Sequence, residues 1–234
     1  MPKILIIVPS YNEEDNILQL IESLSQHCPN ADILVVDDGR DKTADLVKQE
    51  QVKHPNLLLL KRESKAGRGS AVVAGLKFGL DKGYDLLVEI DADLSHQPKE
   101  LPQLLALAGP NNLVIGSRYS KGSKIIGWPL GRRIFSKFAN TYANLILGMG
   151  IHDYTNGYRV YGREAIKKIN LDTIKASGYV VLSEIAYQMF LQGVKFYEVP
   201  TVFINRREGV SNFSLKEVRE ALLSVIRIKR EGLK

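Results

Sequence analysis

Two aspartates one residue apart, Asp91 and Asp93, carry the clearest chemistry in the sequence. They close residues 86–90, a run that reads as a buried strand. Strand side chains alternate, so residues two apart can face the same way. Two carboxylates converging in a cleft repel each other unless a cation lies between them. Hard divalent ions accept carboxylate and phosphate oxygens together, so such a pair can hold a metal against a diphosphate. Asp-x-Asp is a weak signal by itself, because acidic pairs also cap helices and line turns. Its position after a buried strand strengthens it.

Asp37-Asp38 closes another apolar run. One carboxylate could accept hydrogen bonds from a base or a ribose, and either could instead cap the helix that follows. Gly67-Arg68-Gly69-Ser70 lacks the third glycine of a dinucleotide fingerprint and follows the third strand, not the first. It reads as a glycine loop opening a helix with its backbone near a ligand, or as a plain turn. Ser10-Tyr11-Asn12-Glu13 and Ser117-Arg118 are two further polar clusters at strand ends.

The elements that must position these residues follow from hydrophobic periodicity. Strands are expected over residues 4–8, 33–36, 57–60, 86–90 and 113–115. Helices are expected over 13–25, with Asn12 as cap, and over 41–49, 70–80 and 101–108, with Gly83 closing the third. Strands alternating with helices imply βαβ units, a mostly parallel Rossmann-like sheet flanked by helices, and an α/β class. Ligands then bind beyond the carboxyl ends of the strands, where the polar clusters fall. The second half is less regular: helices near 132–147 and 180–191, a short strand near 158–161, and an extended segment 196–204 broken by Pro200. An amphipathic helix over 215–228 carries Arg219, Arg227, Lys229 and Arg230.

The chain has 234 residues, 44% hydrophobic and 25% charged, with net charge +6. That suits one large globular domain and argues against disorder. A single cysteine, Cys28, excludes an internal disulfide and a multi-cysteine zinc site, and points to a reducing compartment. The apolar N-terminal run is too short for a signal peptide core. No run of about 18 apolar residues is present to span a membrane. Between Glu100 and Asp153 there is no acidic residue, while Arg118, Lys121, Lys124, Arg132, Arg133 and Lys137 alternate with Ile125, Ile126, Trp128, Phe135 and Phe138. Such a surface suits an anionic ligand or a membrane face. The alternative is a solvated basic helix with its apolar side in the core.

Taken in order, the motifs resemble glycosyltransferase family 2, in its dolichol-phosphate (polyprenyl-phosphate) mannose synthase branch. They are Pro9-Ser10-Tyr11-Asn12-Glu13, Val36-Asp37-Asp38-Gly39, Lys65-Ala66-Gly67-Arg68-Gly69, Asp91-Ala92-Asp93-Leu94-Ser95-His96 and Gly116-Ser117-Arg118-Tyr119. Gly127-Trp128, Arg132, Asp153-x-Thr155-x-Gly157-x-Arg159, Gly178-Tyr179 with Glu184, Glu198-Val199-Pro200 and Phe203-x-x-Arg206-x-x-Gly209-x-Ser211 follow. The resemblance spans residues 4 to 220.

It implies a GT-A fold over residues 1–212 and a basic amphipathic helix over 213–234. The implied reaction is inverting transfer of mannose from GDP-mannose to dolichyl or polyprenyl phosphate. A polyprenyl-phosphate glucosyl- or N-acetylglucosaminyltransferase using a UDP-sugar is the alternative. By motif position, Pro9, Tyr11, Glu13, Val36, Asp38, Asp91 and Ala92 would contact the nucleotide. Asp91, Asp93 and Ser95 would hold Mg²⁺ or Mn²⁺. Arg118, Arg132 and Arg206 would bind phosphates, with Asp93, Arg118 and Arg132 as catalytic residues. The expected setting is the cytoplasmic face of a membrane, touched peripherally through Trp128, Phe135 and the surrounding cations. The terminal helix would dock there too, bind a membrane-anchoring subunit, or pack on the catalytic domain. Nucleic acid is not an expected partner, since no motif for it occurs. Arg40, Arg68 and Asn212 depart from the usual family pattern and bear on donor identity and phosphate contacts.

Overall fold

The computed structural model describes residues 1–63, 67–176, 178–205 and 215–232, with backbone alone at 215–218. Apolar runs of four to seven residues form the strands β1 (Ile4–Ser10), β2 (Ala31–Asp37), β3 (Leu57–Lys61), β4 (Leu86–Glu89) and β5 (Asn112–Ser117). Later come β6 (Lys124–Ile126), β7 (Arg159–Gly162), β8 (Lys195–Pro200) and β9 (Val202–Ile204). Seven strands make one sheet in the order β3-β2-β1-β4-β7-β5-β8, and β6 pairs with β9 in a small second sheet. Strands β3, β2, β1 and β4 run parallel, as do β5 and β8; β7 is inserted antiparallel to β4 and β5. The sheet is therefore mostly parallel and flanked by helices, as expected.

Both faces of the sheet are covered, so β1 reads as a continuous apolar run. Its alternating side chains feed two cores. Leu5 and Ile7 join one with α3 (Arg68–Asp81), α5 (Leu130–Leu147), α7 (Val180–Leu191) and α8 (Leu215–Glu231). Ile6 and Val8 join the other with α1 (Ile17–His27), α2 (Thr43–Glu50) and α4 (Leu101–Leu107). A short α6 (Arg163–Ile166) follows β7. Gly148 ends α5 at φ +70°, a left-handed cap that glycine adopts without Cβ strain.

The start of α1 departs from expectation, the break at Pro200 is as expected, and of the readings open for the terminal helix the structure shows packing on the domain. Helix α1 begins at Ile17 with Asn16 at its cap, and Asn12 instead sits at φ +57° with its side chain accepting from the Arg40 amide. The extended segment 196–204 is two strands in different sheets, divided after Pro200. The terminal helix packs on the catalytic domain: Val225 and Ile228 are buried in the core, and Tyr142 OH donates to the Leu222 carbonyl.

Candidate functional site

A cleft of about 260 Å³ opens at the carboxyl ends of β1, β2 and β4. Pro9, Ser10, Tyr11, Glu13, Asp38, Gly67, Arg68, Ala71, Asp91, Ala92, Asp93 and Tyr179 line it. Of the residues expected to contact nucleotide, Pro9, Tyr11, Glu13, Asp38, Asp91 and Ala92 are here. Val36 is not: its side chain is wholly buried in the core beneath β2.

The two aspartates at the end of β2 have separate surroundings. Asp37 is fully buried, accepts from Ser10 Oγ at 2.8 Å and Gly39 N at 3.1 Å, and pairs with Lys61 Nζ at 2.6 Å. It fastens the loop. Asp38 faces the cleft, its two oxygens gripped by Arg62 Nε and Nη2, each at 2.5 Å. Arg62 Nη1 also donates to Ser70 Oγ at 2.8 Å, which ties Asp38 to the first turn of α3.

At the end of β4, Asp91 is held from two sides. Arg68 Nε and Nη2 reach its Oδ1 at 2.9 and 2.5 Å, and His96 Nε2 lies 3.3 Å from its Oδ2. Burial works to raise the Asp91 pKa, but the Arg68 charge and then the His96 hydrogen bond hold the carboxyl well below the usual carboxylate range. Arg68 Nη2 also reaches Glu89 Oε1 at 2.7 Å, and Tyr161 OH donates to Glu89 Oε2 at 2.9 Å. Burial pushes the Glu89 carboxyl up, against the pull of Arg68 and Arg159. Tyr179 places its ring 4.8 Å from the Arg68 guanidinium.

Asp93 Oδ1 accepts from Ser95 N at 3.1 Å, and among the described residues no cation pairs with its carboxylate. The next residue, Leu94, sits at φ +58°, an uncommon conformation for a branched side chain and a mark of a constrained turn. Ser95 is buried, and its Oγ finds no hydrogen-bond partner among the described residues. No group of three or more His, Cys, Asp or Glu in a metal-holding arrangement occurs among them either. Asp91 and Asp93 both line the cleft, and carboxylates are the kind of oxygen donor that a hard divalent ion combines with phosphate and water.

Arg118 and Arg132, two of the arginines expected to bind phosphate, lie outside the cleft lining. Arg118 Nε and Nη2 grip Asp153 at 2.8 and 2.7 Å, and Nη2 adds Thr155 Oγ1 at 2.8 Å. Burial would raise the Asp153 pKa; Arg118 overrides it and lowers it. Arg132 covers the Trp128 ring at 4.2 Å and donates to Asn205 Oδ1 at 3.1 Å. The two clusters are joined by rings: His96 contacts Phe203 at 5.2 Å, and Phe203 contacts Trp128 at 5.2 Å. Arg206 lies outside the described residues, as do Lys65, Ala66, Gly209, Ser211 and Asn212.

Trp128 does not face outward as expected: it is 7% exposed, packed on Phe203 and covered by the two arginines. Exposed apolar groups of this region include Leu130 (72%), Ile134 (61%) and Phe138 (56%), one turn apart along α5, beside exposed Arg133 and Lys137. Glu184 accepts from the backbone amides of Lys175 and Ala176.

Sequence reading missed Glu89 and Arg62. Glu89 could have been found as the one charge inside an otherwise apolar strand. Arg62 gave no signal, because its partner lies 24 residues away.

The profile of Glycosyl transferase family 2 matches residues 5–170. The chain belongs to glycosyl transferase family 2. This family 2 glycosyltransferase is 42% identical over 224 residues to the polyprenol monophosphomannose synthase of Mycolicibacterium smegmatis, covering 94% of this chain and 84% of that one. It is 38% identical over 226 residues to the undecaprenyl-phosphate mannosyltransferase of Micrococcus luteus, covering 96% and 93%. Its GT-A fold is shared with glucosyl-3-phosphoglycerate synthase from Mycobacterium tuberculosis, solved in complex with Mn²⁺, UDP and glucosyl-3-phosphoglycerate. The TM-score is 0.69 at 20% identity, over 99% of this chain and 80% of that one. No helix among the described residues is long and apolar enough to cross a membrane.

Proposed function

We propose that this glycosyltransferase moves mannose from GDP-mannose to a polyprenyl phosphate. The observation that carries the reading is the cleft at the carboxyl ends of β1, β2 and β4, lined by Tyr11, Glu13, Asp38, Asp91 and Asp93. It occurs in a chain whose curated relatives are named for mannose and polyprenyl phosphate.

Asp38, fixed by Arg62, offers acceptor oxygens to the nucleoside. Asp91 and Asp93 would hold a divalent cation, which when bound would offset the charge of the diphosphate as it leaves. The acceptor phosphate is largely a dianion at neutral pH, with a second pKa of about 6, and is already a nucleophile. The protein therefore needs no general base, and its task is to bring two anions together and hold them. The Arg118, Trp128 and Arg132 cluster, linked to the cleft through His96 and Phe203, is the acceptor phosphate's side of the site. Planar guanidinium groups suit phosphate oxygens. The outer face of α5 would rest on the cytoplasmic face of a membrane, where the lipid acceptor resides, with or without an anchoring subunit.

Transfer of labelled mannose to polyprenyl phosphate in detergent with Mn²⁺ tests this. Label entering the lipid phase from GDP-mannose, and lost in Asp93→Ala, is the expected result. Label from UDP-glucose alone would reassign the donor.

A further inference from the structure

Arg68 occupies the heart of the Asp91/Asp93 motif. Its Nη2 bridges Asp91 Oδ1 at 2.5 Å and Glu89 Oε1 at 2.7 Å, while the side chain keeps only 16% exposure. Gly157 leaves room for this arrangement. A Cβ there would stand 2.0 Å from Arg68 Nη2 and 3.0 Å from Asp91 Oδ1. The third nitrogen, Nη1, is buried and has no hydrogen-bond partner among the described residues. An uncommitted donor of that kind is unusual in a native interior and fits a group that completes its bonds when a ligand arrives.

We propose that Arg68 is the resident cation of the Asp91/Asp93 motif and couples metal binding to diphosphate binding. The proposal rests on the metal and nucleotide reading of the cleft. Asp91 has one oxygen committed to Arg68 and the other beside His96. A divalent ion arriving alone must compete with the guanidinium for Oδ1 and sit beside its positive charge. An ion arriving with a nucleoside diphosphate brings an anion to which the guanidinium transfers, with bidentate geometry to match. Glu89 stays as the anchor: it is wholly buried, so losing Arg68 altogether would strand its charge, whereas a pivot about Glu89 exchanges only Asp91 for phosphate. Because linkage is reciprocal, the ion must tighten the diphosphate by the same factor.

The test is Mn²⁺ binding to the full chain, read from the electron paramagnetic resonance signal of free Mn²⁺, with and without GDP. Wild type is expected to bind Mn²⁺ weakly alone and more tightly with GDP, by a factor in the range of about 5- to 150-fold. Arg68→Met is expected to bind Mn²⁺ alone about tenfold or more tightly than wild type, with the gain from GDP reduced. Gly157→Ala keeps every charge but pushes the guanidinium off Asp91, and is expected to move the same way. Arg68→Lys should keep the wild-type order. Mn²⁺ binding no tighter in folded Arg68→Met than in wild type would overturn the proposal; should that variant not fold, Gly157→Ala decides alone. If wild type takes up no Mn²⁺ even with GDP, and Asp93→Ala behaves identically, the metal reading falls and this proposal falls with it.

Discussion

Asp37 and Asp38 are adjacent in sequence, and only their partners tell them apart. Lys61 and Ser10 fasten the first, while Arg62 turns the second toward the cleft. The same logic governs Asp153, a buried carboxylate matched to a buried arginine. Asp153→Asn leaves Arg118 without its counter-charge and is expected to cost about 3–5 kcal/mol in denaturant unfolding. The pH dependence follows. Asp153 and Asp91 both have lowered pKa values in the fold. Each contributes stability that is fully present above the unfolded carboxylate pKa of about 3.9 and is lost as pH falls through the lower folded value. Between about pH 5 and pH 2, stability in Asp153→Asn should fall less steeply than in wild type. Asp91 and Asp93 were legible because both ligand candidates lie within one motif. The roles of Arg62, Arg68 and Glu89 were not, because ion pairs join elements that sequence order separates.

Helix α3 shows what an element must give up to lie on the sheet. A Cβ at Gly75 would stand 2.3 Å from Ile7 Cγ2, and one at Gly79 would stand 2.2 Å from Leu87 Cδ2. These glycines bring the helix, and the Arg68 at its start, close to the strands that carry the site. Gly79→Ala is expected to destabilise by about 1–3 kcal/mol through overpacking, although alanine favours helix elsewhere; chemical denaturation checks the sign. Helix α5 turns Leu130, Ile134 and Phe138 outward among basic side chains. Their joint replacement by serine is expected to leave thermal stability within about 0.5 kcal/mol, as for surface substitutions generally, while weakening flotation with anionic liposomes. Flotation equal to wild type would remove α5 from the membrane contact. Most strands and helices were readable from period alone. The three-residue β6 and four-residue α6 are too short to show a period. The antiparallel insertion of β7 is set by topology, and Trp128 was misplaced because an amphipathic ring suits a core and an interface equally.

At the scale of the molecule, one sheet gathers loops from both halves of the chain. The first half supplies the cleft from β1, β2 and β4, and the second supplies Tyr179 and Gly157 against Arg68. The acid-free stretch gives the arginine cluster and the exposed face of α5 to one segment of chain, so a lipid-borne phosphate could meet both. Parallel-sheet logic was enough to place the cleft from sequence. Mannose and the polyprenyl phosphate acceptor were legible only through the family motifs, because sugar and acceptor are chosen by contacts that periodicity does not encode. The most direct test is lipid-phase label from GDP-[¹⁴C]mannose with polyprenyl phosphate, for wild type and Asp93→Ala, beside UDP-glucose. Label from GDP-mannose in wild type alone is the predicted result. No lipid label from GDP-mannose, by folded protein with Mn²⁺ and acceptor supplied, would contradict it.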